Sequence, residues 1–120
     1  MNQAMFSGNL TAKPELKDGG KESYALFTLA VQRKYKNKDG VYEADFIPLK
    51  VWGKKAESLV KNCDKGDKVS VNAHYHTDSY VNDKGETVYT KDLIADDLDF
   101  RYEKTSEQEV TEEINEELEK

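Results

Sequence analysis

Several features are scarce or missing in this 120-residue sequence. Cys63 is the only cysteine, which excludes an intrachain disulfide and agrees with a reducing compartment. No apolar run approaches the ~20 residues that a membrane span needs, and residues 1–4 lack the basic and apolar regions of a signal peptide. We therefore expect a cytoplasmic protein. Neither a glycine-rich phosphate loop nor a Gly-x-Ser-x-Gly motif occurs, so we predict a non-enzymatic protein without a cofactor.

The formal net charge of −6 is unevenly distributed along the chain. Residues 103–120 contain eight Glu and two Lys, whereas residues 1–102 contain 16 basic and 16 acidic residues. Inside that body, residues 31–65 carry nine basic and five acidic groups. We therefore predict one folded domain over residues 1–102 and an acidic, flexible tail over residues 103–120. A helix induced by a partner is the alternative for the tail, because Val110, Ile114 and Leu118 recur every four residues.

The body of the sequence is typical of β-strands separated by turns. The sequences Asn37-Lys38-Asp39-Gly40 and Asn82-Asp83-Lys84-Gly85 are hairpin signals, and each lies between two segments rich in β-branched and aromatic residues. Five strands are predicted: Gln3–Thr11, Ser23–Tyr35, Ala44–Trp52, Lys68–Tyr80 and Thr87–Phe100.

One segment between the third and fourth predicted strands has a helical pattern. Ala56, Leu59, Val60 and Cys63 follow the i, i+3, i+4, i+7 spacing of one helix face, and Gly66 lies just beyond them. Five strands with a helix in this position is the element order of the OB-fold, a small Greek-key barrel. We therefore predict an all-β protein with one short helix, whose second and third strands face an oligonucleotide or oligosaccharide.

The third predicted strand separates two kinds of side chain, because successive residues of a strand point to opposite faces. Ile47, Leu49 and Val51 form an apolar face, whereas Phe46, Pro48, Lys50 and Trp52 share the other face. Aromatic rings stack on bases and lysines attract phosphates, so the second face is typical of a single-stranded nucleic-acid site. The alternative is that Phe46 and Trp52 cover a second small core or a subunit interface.

A cluster of basic and aromatic residues lies at the end of the second predicted strand. It comprises Arg33, Lys34, Tyr35, Lys36 and Lys38, a composition that suits a phosphate backbone. A solvated hairpin tip is the alternative. Strict alternation puts Tyr35 on the core face, so the interpretation requires a bulge near Arg33.

The fourth predicted strand places His74, His76 and Asp78 on one face. Two histidines and an aspartate are able to form an open metal site. Adjacent positions on one strand rarely close such a site unaided, so we predict no metal and interpret these residues as surface or interface side chains.

Beyond these patterns, about the first 100 residues resemble the bacterial-type single-stranded DNA-binding proteins of replication. The resemblance rests on the order and spacing of several short motifs. These are Gly8-x-Leu10-Thr11-x-x-Pro14-Glu15-Leu16, Phe27-Thr28-Leu29-Ala30-Val31, Lys36-Asn37-Lys38-Asp39-Gly40, Ala44-Asp45-Phe46-Ile47, Trp52-Gly53-Lys54-x-Ala56-Glu57-x-Leu59, Lys65-Gly66 and Asp96.

The resemblance implies a homotetrameric OB-fold that coats and protects single-stranded DNA in replication, recombination or repair, in association with the nucleoid. It also implies stacking roles for Tyr35, Phe46, Trp52 and Tyr80, and a phosphate contact for Lys54. An OB-fold primosome-type adaptor that uses the same aromatic face as a protein interface is the alternative function, and a metal-dependent enzyme is the remote one.

The sequence departs from the family pattern at several points. Pro48 cannot donate a backbone hydrogen bond, so strand pairing there must be edge-like or bulged. Ala73 stands where a glycine is common, and Asp78 replaces the usual basic character of its region. The family tail docks replication and repair proteins through a hydrophobic tip, but this chain ends in Glu116-Glu117-Leu118-Glu119-Lys120 without Pro-Phe.

Overall fold

The computed structural model describes residues 1–100 and contains six strands and one helix. The predicted tail therefore lies outside the described residues. In chain order the elements are β1 (Ala4–Leu10), β2 (Glu15–Asp18), β3 (Ser23–Lys36), β4 (Tyr42–Trp52), α1 (Lys54–Asn62), β5 (Lys68–Val81) and β6 (Thr87–Asp99). The five predicted strands and the predicted helix are confirmed.

The short strand β2 was not predicted. Its sequence, Glu-Leu-Lys-Asp, has three charged residues out of four and no buried side chain, so neither composition nor alternation marks it as a strand. It forms through antiparallel pairing with the beginning of β3, where Glu15 lies opposite Leu26 and Asp18 lies opposite Ser23. Pairing with a partner strand, and not local propensity, produces this element.

The strands close into a barrel with the order β1-β5-β6-β4-β3, in which β1 and β3 complete the ring at Asn9↔Ala30 and Leu10↔Leu29. Only the β4–β6 contact is parallel, at Lys50↔Ile94, among the pairings of residues 1–100. Five barrel strands with one helix between β4 and β5 constitute an OB-fold, which confirms the predicted Greek-key barrel. Pro48 pairs in register with Thr28 before β4 reaches β6, so it occupies the edge-like position that the sequence required.

Alternating apolar residues fill the barrel, as the sequence pattern predicted. Leu29, Val51 and Val69 are fully buried, and α1 closes one end of the core with Leu59. Cys63, the last residue of the predicted helix face, is also buried, and its burial raises the pKa of the thiol. Within residues 1–100, no helix is both long enough and apolar enough to cross a membrane.

Two long hairpins extend from the barrel, and both close with the predicted turn. In the first, the Asn37 side-chain oxygen accepts hydrogen bonds from the backbone N–H groups of Asp39 and Val41, at 2.9 and 3.0 Å. In the second, the Asn82 side-chain oxygen accepts the corresponding bonds from Lys84 and Glu86, at 3.0 and 2.9 Å. We name residues 33–43 the basic hairpin and residues 78–88 the acidic hairpin.

Candidate nucleic-acid interface

The outer face of β3 and β4 carries the aromatic and basic side chains that alternation predicted. Cross-strand pairing puts Tyr24 opposite Trp52 and Ala30 opposite Phe46. Phe46 is 65% exposed, while Lys50 and Trp52 are half-buried. Leu49 and Val51, which alternate with them, are buried in the core. The predicted division of this strand into a core face and an outer face is confirmed.

Lys50 lies over two aromatic rings on this outer face. Its Nζ is 4.6 Å from the ring centroid of Trp52 and 4.7 Å from that of Tyr24, both within the range of cation–π contacts. The two ring centroids are 5.0 Å apart and the ring planes meet at 41°. We name Tyr24, Phe46, Lys50 and Trp52 the aromatic platform.

Tyr24 was missed in the sequence interpretation. Its outward direction could have been inferred, because it alternates with the core residues Ala25 and Phe27. Its position opposite Trp52 could not have been inferred, since the register depends on an irregularity in the hairpin. Gln32 pairs with Ala44 and Lys36 pairs with Tyr42, so β3 advances four residues where β4 advances two.

The same irregularity resolves the position of Tyr35. Sequence alternation required a bulge near Arg33, and the register shift between Gln32 and Lys36 confirms it. Tyr35 is 83% exposed and lies well outside the core. Lys34 and Lys36 beside it are exposed, as is Lys38 in the turn. The basic hairpin therefore presents three lysines and two tyrosines to solvent, since Tyr42 is also exposed.

Arg33 differs from the other predicted phosphate contacts, because it is engaged by two carboxylates. Its guanidinium nitrogens lie 2.8 Å from the Glu43 carboxylate and 2.9 Å from the Asp45 carboxylate. The hydrogen bond with Asp45 raises the pKa of Arg33 above its ordinary value. The hairpin register brings these acidic residues across from Arg33, and the spacing of residues along one strand does not reveal such a pairing.

A groove of about 370 Å³ lies between the loop before β2 and strands β3, β4 and β6, and Lys50 is the one residue of the aromatic platform in its lining. Lysines from three parts of the chain line it: Lys13 from the loop before β2, Lys50 from β4 and Lys91 from β6. Asp92 is the acidic residue in the same lining. Lys13 and Lys91 were not among the predicted site residues, because only the closed barrel brings these distant segments to one groove.

Lys50 is the one predicted site residue in the groove lining, and the remaining two to be placed, Lys54 and Tyr80, lie outside it like the others. Lys54 is exposed at the first residue of α1, directly after Gly53. Tyr80 is 56% exposed on the acidic hairpin and pairs across the strands with Val88. Side-chain alternation puts Tyr80 on the same face as Asp78.

The histidines of β5 lie beside aspartates. The Nδ1 atom of His74 lies 2.9 Å from each Asp96 carboxylate oxygen, and the Nε2 atom of His76 lies 3.8 Å from Asp78. Within residues 1–100, His, Cys, Asp and Glu side chains form no group of three or more able to hold a metal ion. These contacts agree with the interpretation of the histidines as surface side chains.

Comparison with known proteins agrees with this architecture. The single-strand binding protein family matches residues 1–101. "Single-stranded DNA-binding protein 3" of Clostridium acetobutylicum is 42% identical over 102 residues, which cover 83% of this chain and 70% of the relative. "Single-stranded DNA-binding protein B" of Bacillus subtilis is 39% identical over 100 residues, covering 82% and 88%. "Single-stranded DNA-binding protein 1" of Staphylococcus aureus is 38% identical over 107 residues, covering 88% and 69%. The chain belongs to the single-strand binding protein family.

Proposed function

We propose that this protein binds single-stranded DNA without sequence preference and protects it during replication, recombination or repair. The aromatic platform carries the proposal, because a half-exposed ring beside an ammonium group at the edge of a lysine-lined groove suits a stacked base with its phosphate. The relatives named single-stranded DNA-binding proteins support the same activity. The protein acts by binding alone, without catalysis or a cofactor, in the cytoplasm and in association with the nucleoid.

In this mechanism, aromatic rings hold bases and cationic side chains hold phosphates. Trp52 and Phe46 stack bases on the platform, Tyr35 extends the stack onto the basic hairpin, and Tyr80 contacts the strand farther along. Stacking accepts every base because each has a π-face, which accounts for the absence of sequence preference. The phosphate contacts are Arg33, Lys34, Lys36, Lys38, Lys50 and Lys54.

Trp52 is the only tryptophan of the chain, so its fluorescence reports directly on the platform. We expect oligo-dT to quench this emission, because a base stacks on the indole ring. A duplex of equal length should bind much more weakly, since its bases are already stacked and paired. Unchanged emission at saturating oligo-dT, established separately by anisotropy, would remove Trp52 from the site. Equal affinity for duplex and single strand would reject the proposed function.

We also propose that the chain assembles as a homotetramer. In support, β1 pairs with β5 over Ala4–Asn9 but reaches β3 only at Asn9 and Leu10, so its N-terminal half is accessible to a second copy. Met5 on this segment is 76% exposed and borders a groove of about 300 Å³. Sedimentation equilibrium should give four times the 13.7 kDa chain mass, and a monomer would reject this part of the proposal.

The acidic residues 103–120 have a proposed role in recruiting replication or repair proteins. Their net charge of −6 suits a basic surface on a partner. A chain truncated after residue 102 should keep its oligo-dT affinity and lose salt-sensitive capture of such partners. Equal capture by the truncated and full chains would reject this role.

A further inference from the structure

We infer that Tyr24 is a further base-stacking residue, which forms with Trp52 a two-ring site that carries its own cation, Lys50. This inference rests on the proposed function and extends it to a residue outside the predicted stacking set. The sequence interpretation placed Trp52 alone at this position, and Tyr24 is the second ring.

The ring geometry places the two aromatic side chains next to each other on one face of the sheet. Tyr24 and Trp52 are a direct cross-strand pair, so both side chains leave the sheet on its outer face. Their planes meet at 41° with centroids 5.0 Å apart, so the rings are tilted and do not cover each other in a parallel stack. Both are half-buried, and neither belongs to the buried core. Lys50 lies over both rings in this structure, so a base stacks on them once that side chain moves toward the phosphate.

The turn between β2 and β3 supports both rings from behind. A Cβ atom added at Gly19 would lie 2.7 Å from Cζ3 of Trp52 and 3.0 Å from Cδ1 of Tyr24, so the backbone of this turn lies close against both rings. The turn is itself fixed, since Gly19 N–H donates to the Glu22 carbonyl at 3.0 Å. Rings held in place before binding lose less conformational entropy when a base arrives.

The position of Lys50 completes the chemistry of the site. Its Nζ lies within 4.7 Å of both ring centroids, so one ammonium group makes a cation–π contact with each ring. A nucleotide consists of a flat aromatic base and an anionic phosphate, which match the rings and the ammonium group respectively. Lys50 also lines the groove that contains Lys13 and Lys91, so the two-ring site adjoins this lysine-lined groove.

The test measures binding of fluorescein-labelled oligo-dT to the full chain by anisotropy at fixed salt. We expect Tyr24→Leu to weaken binding by about fivefold or more, the loss that corresponds to one stacked base. Tyr24→Phe keeps the ring and is the matched control, with an affinity close to that of the wild type. Tyr24→Val, which favours a strand, is the second variant if Tyr24→Leu fails to fold.

A second arm separates stacking by Tyr24 from mere support of Trp52. In a Trp52→Ala background, Tyr24→Leu should weaken binding further, because the tyrosine contacts a base itself. No additional loss in that background, or an unchanged affinity of Tyr24→Leu in the wild-type background, would overturn the inference. If the wild-type chain does not bind oligo-dT, the proposed function fails together with the inference. If the wild type binds and only the Tyr24 variants behave as wild type, the inference alone fails.

Discussion

The two hairpins of this protein are built on the same turn but carry opposite charge. Both close on an asparagine whose side chain accepts two backbone hydrogen bonds, and on a glycine with positive φ, 77° at Gly40 and 80° at Gly85. Over equivalent eleven-residue windows, the basic hairpin has four basic and two acidic residues, whereas the acidic hairpin has one basic and three acidic residues. Turn geometry therefore does not determine which hairpin faces DNA.

The comparison of the two hairpins separates the residues that shape the turns from the residues that determine their charge. Asparagine and glycine at the turns satisfy the backbone, and this requirement is equal in both hairpins. The charge of the exposed residues around the turns sets the electrostatic part of the DNA affinity. Each cationic contact with a phosphate releases counterions, so this part grows with the number of such contacts. We expect the basic hairpin to dominate DNA affinity and the acidic hairpin to contribute a smaller, mainly stacking interaction.

The largest effect is expected from removing the lysines of the basic hairpin. In the triple variant Lys34→Ala, Lys36→Ala and Lys38→Ala, the slope of log affinity against log salt should become shallower by roughly 2, at about 0.7 per lost phosphate contact. This change corresponds to roughly a hundredfold weaker binding at 0.1 M salt. Oligo-dT titrations at four or more salt concentrations measure the slope directly.

The matched control for that variant lies in the acidic hairpin. Lys84 occupies the turn at the position that corresponds to Asp39, and we expect Lys84→Ala to leave the salt slope nearly unchanged because acidic neighbours surround it. A slope change for Lys84→Ala as large as one third of the triple variant's change would show that both hairpins hold phosphates. The proposed asymmetry would then be wrong.

The next effect concerns the stacking rings of the two regions. Trp52→Ala should weaken oligo-dT binding by ~1–3 kcal/mol, because the indole loses a stacked base. Tyr80→Ala should weaken binding less, since Asp78 shares its face and repels the phosphates of the strand that Tyr80 contacts. Anisotropy with labelled oligo-dT measures both. A larger loss at Tyr80 than at Trp52 would move the main site to the acidic hairpin.

A gain of affinity is expected when the charge of the acidic hairpin is reversed at one position. Asp78→Lys removes a repulsive carboxylate and adds a cation beside Tyr80, so affinity should rise a few-fold and the salt slope should steepen by about 0.7. Asp78→Asn separates the two contributions, because it removes the negative charge without adding a positive one. An unchanged slope for Asp78→Lys would indicate that the bound strand does not reach this hairpin.

The fold could be predicted from the sequence because its signals are local or periodic. Alternation in β4 places Leu49 and Val51 inside, and the spacing of Ala56 and Leu59 predicts α1. The turn asparagines predict the hairpins by short-range chemistry. The strand β2 escaped prediction because it forms through pairing with β3, not through its own charged sequence.

The candidate site was predictable only in part, since part of it depends on cross-strand register. Phe46 and Trp52 follow from alternation, which needs one strand alone. Tyr24 beside Trp52, and Arg33 beside Glu43 and Asp45, depend on the two additional residues of β3 in the hairpin. Nothing in the local sequence fixes how many residues a bulge contains, so these contacts require the folded chain.

The smallest effect separates stability from binding at the two equivalent turns. Asn37→Ala and Asn82→Ala each remove two hydrogen bonds from backbone N–H groups, of nearly equal length, so each should lower the free energy of unfolding by about 1 kcal/mol. Asn37→Ala also removes the exposed bond that Asn37 Nδ2 donates to Glu43 at 3.2 Å. Urea unfolding at one protein concentration measures this loss, and the m-value should not change because the core is untouched. Binding should respond unequally, because the proposed phosphate contacts Lys34, Lys36 and Lys38 lie on the basic hairpin. If Asn82→Ala weakened oligo-dT binding more than Asn37→Ala at equal loss of stability, the acidic hairpin would be the main DNA contact. The two turns share the same backbone hydrogen bonds, so such a difference in binding would come from the residues that flank them.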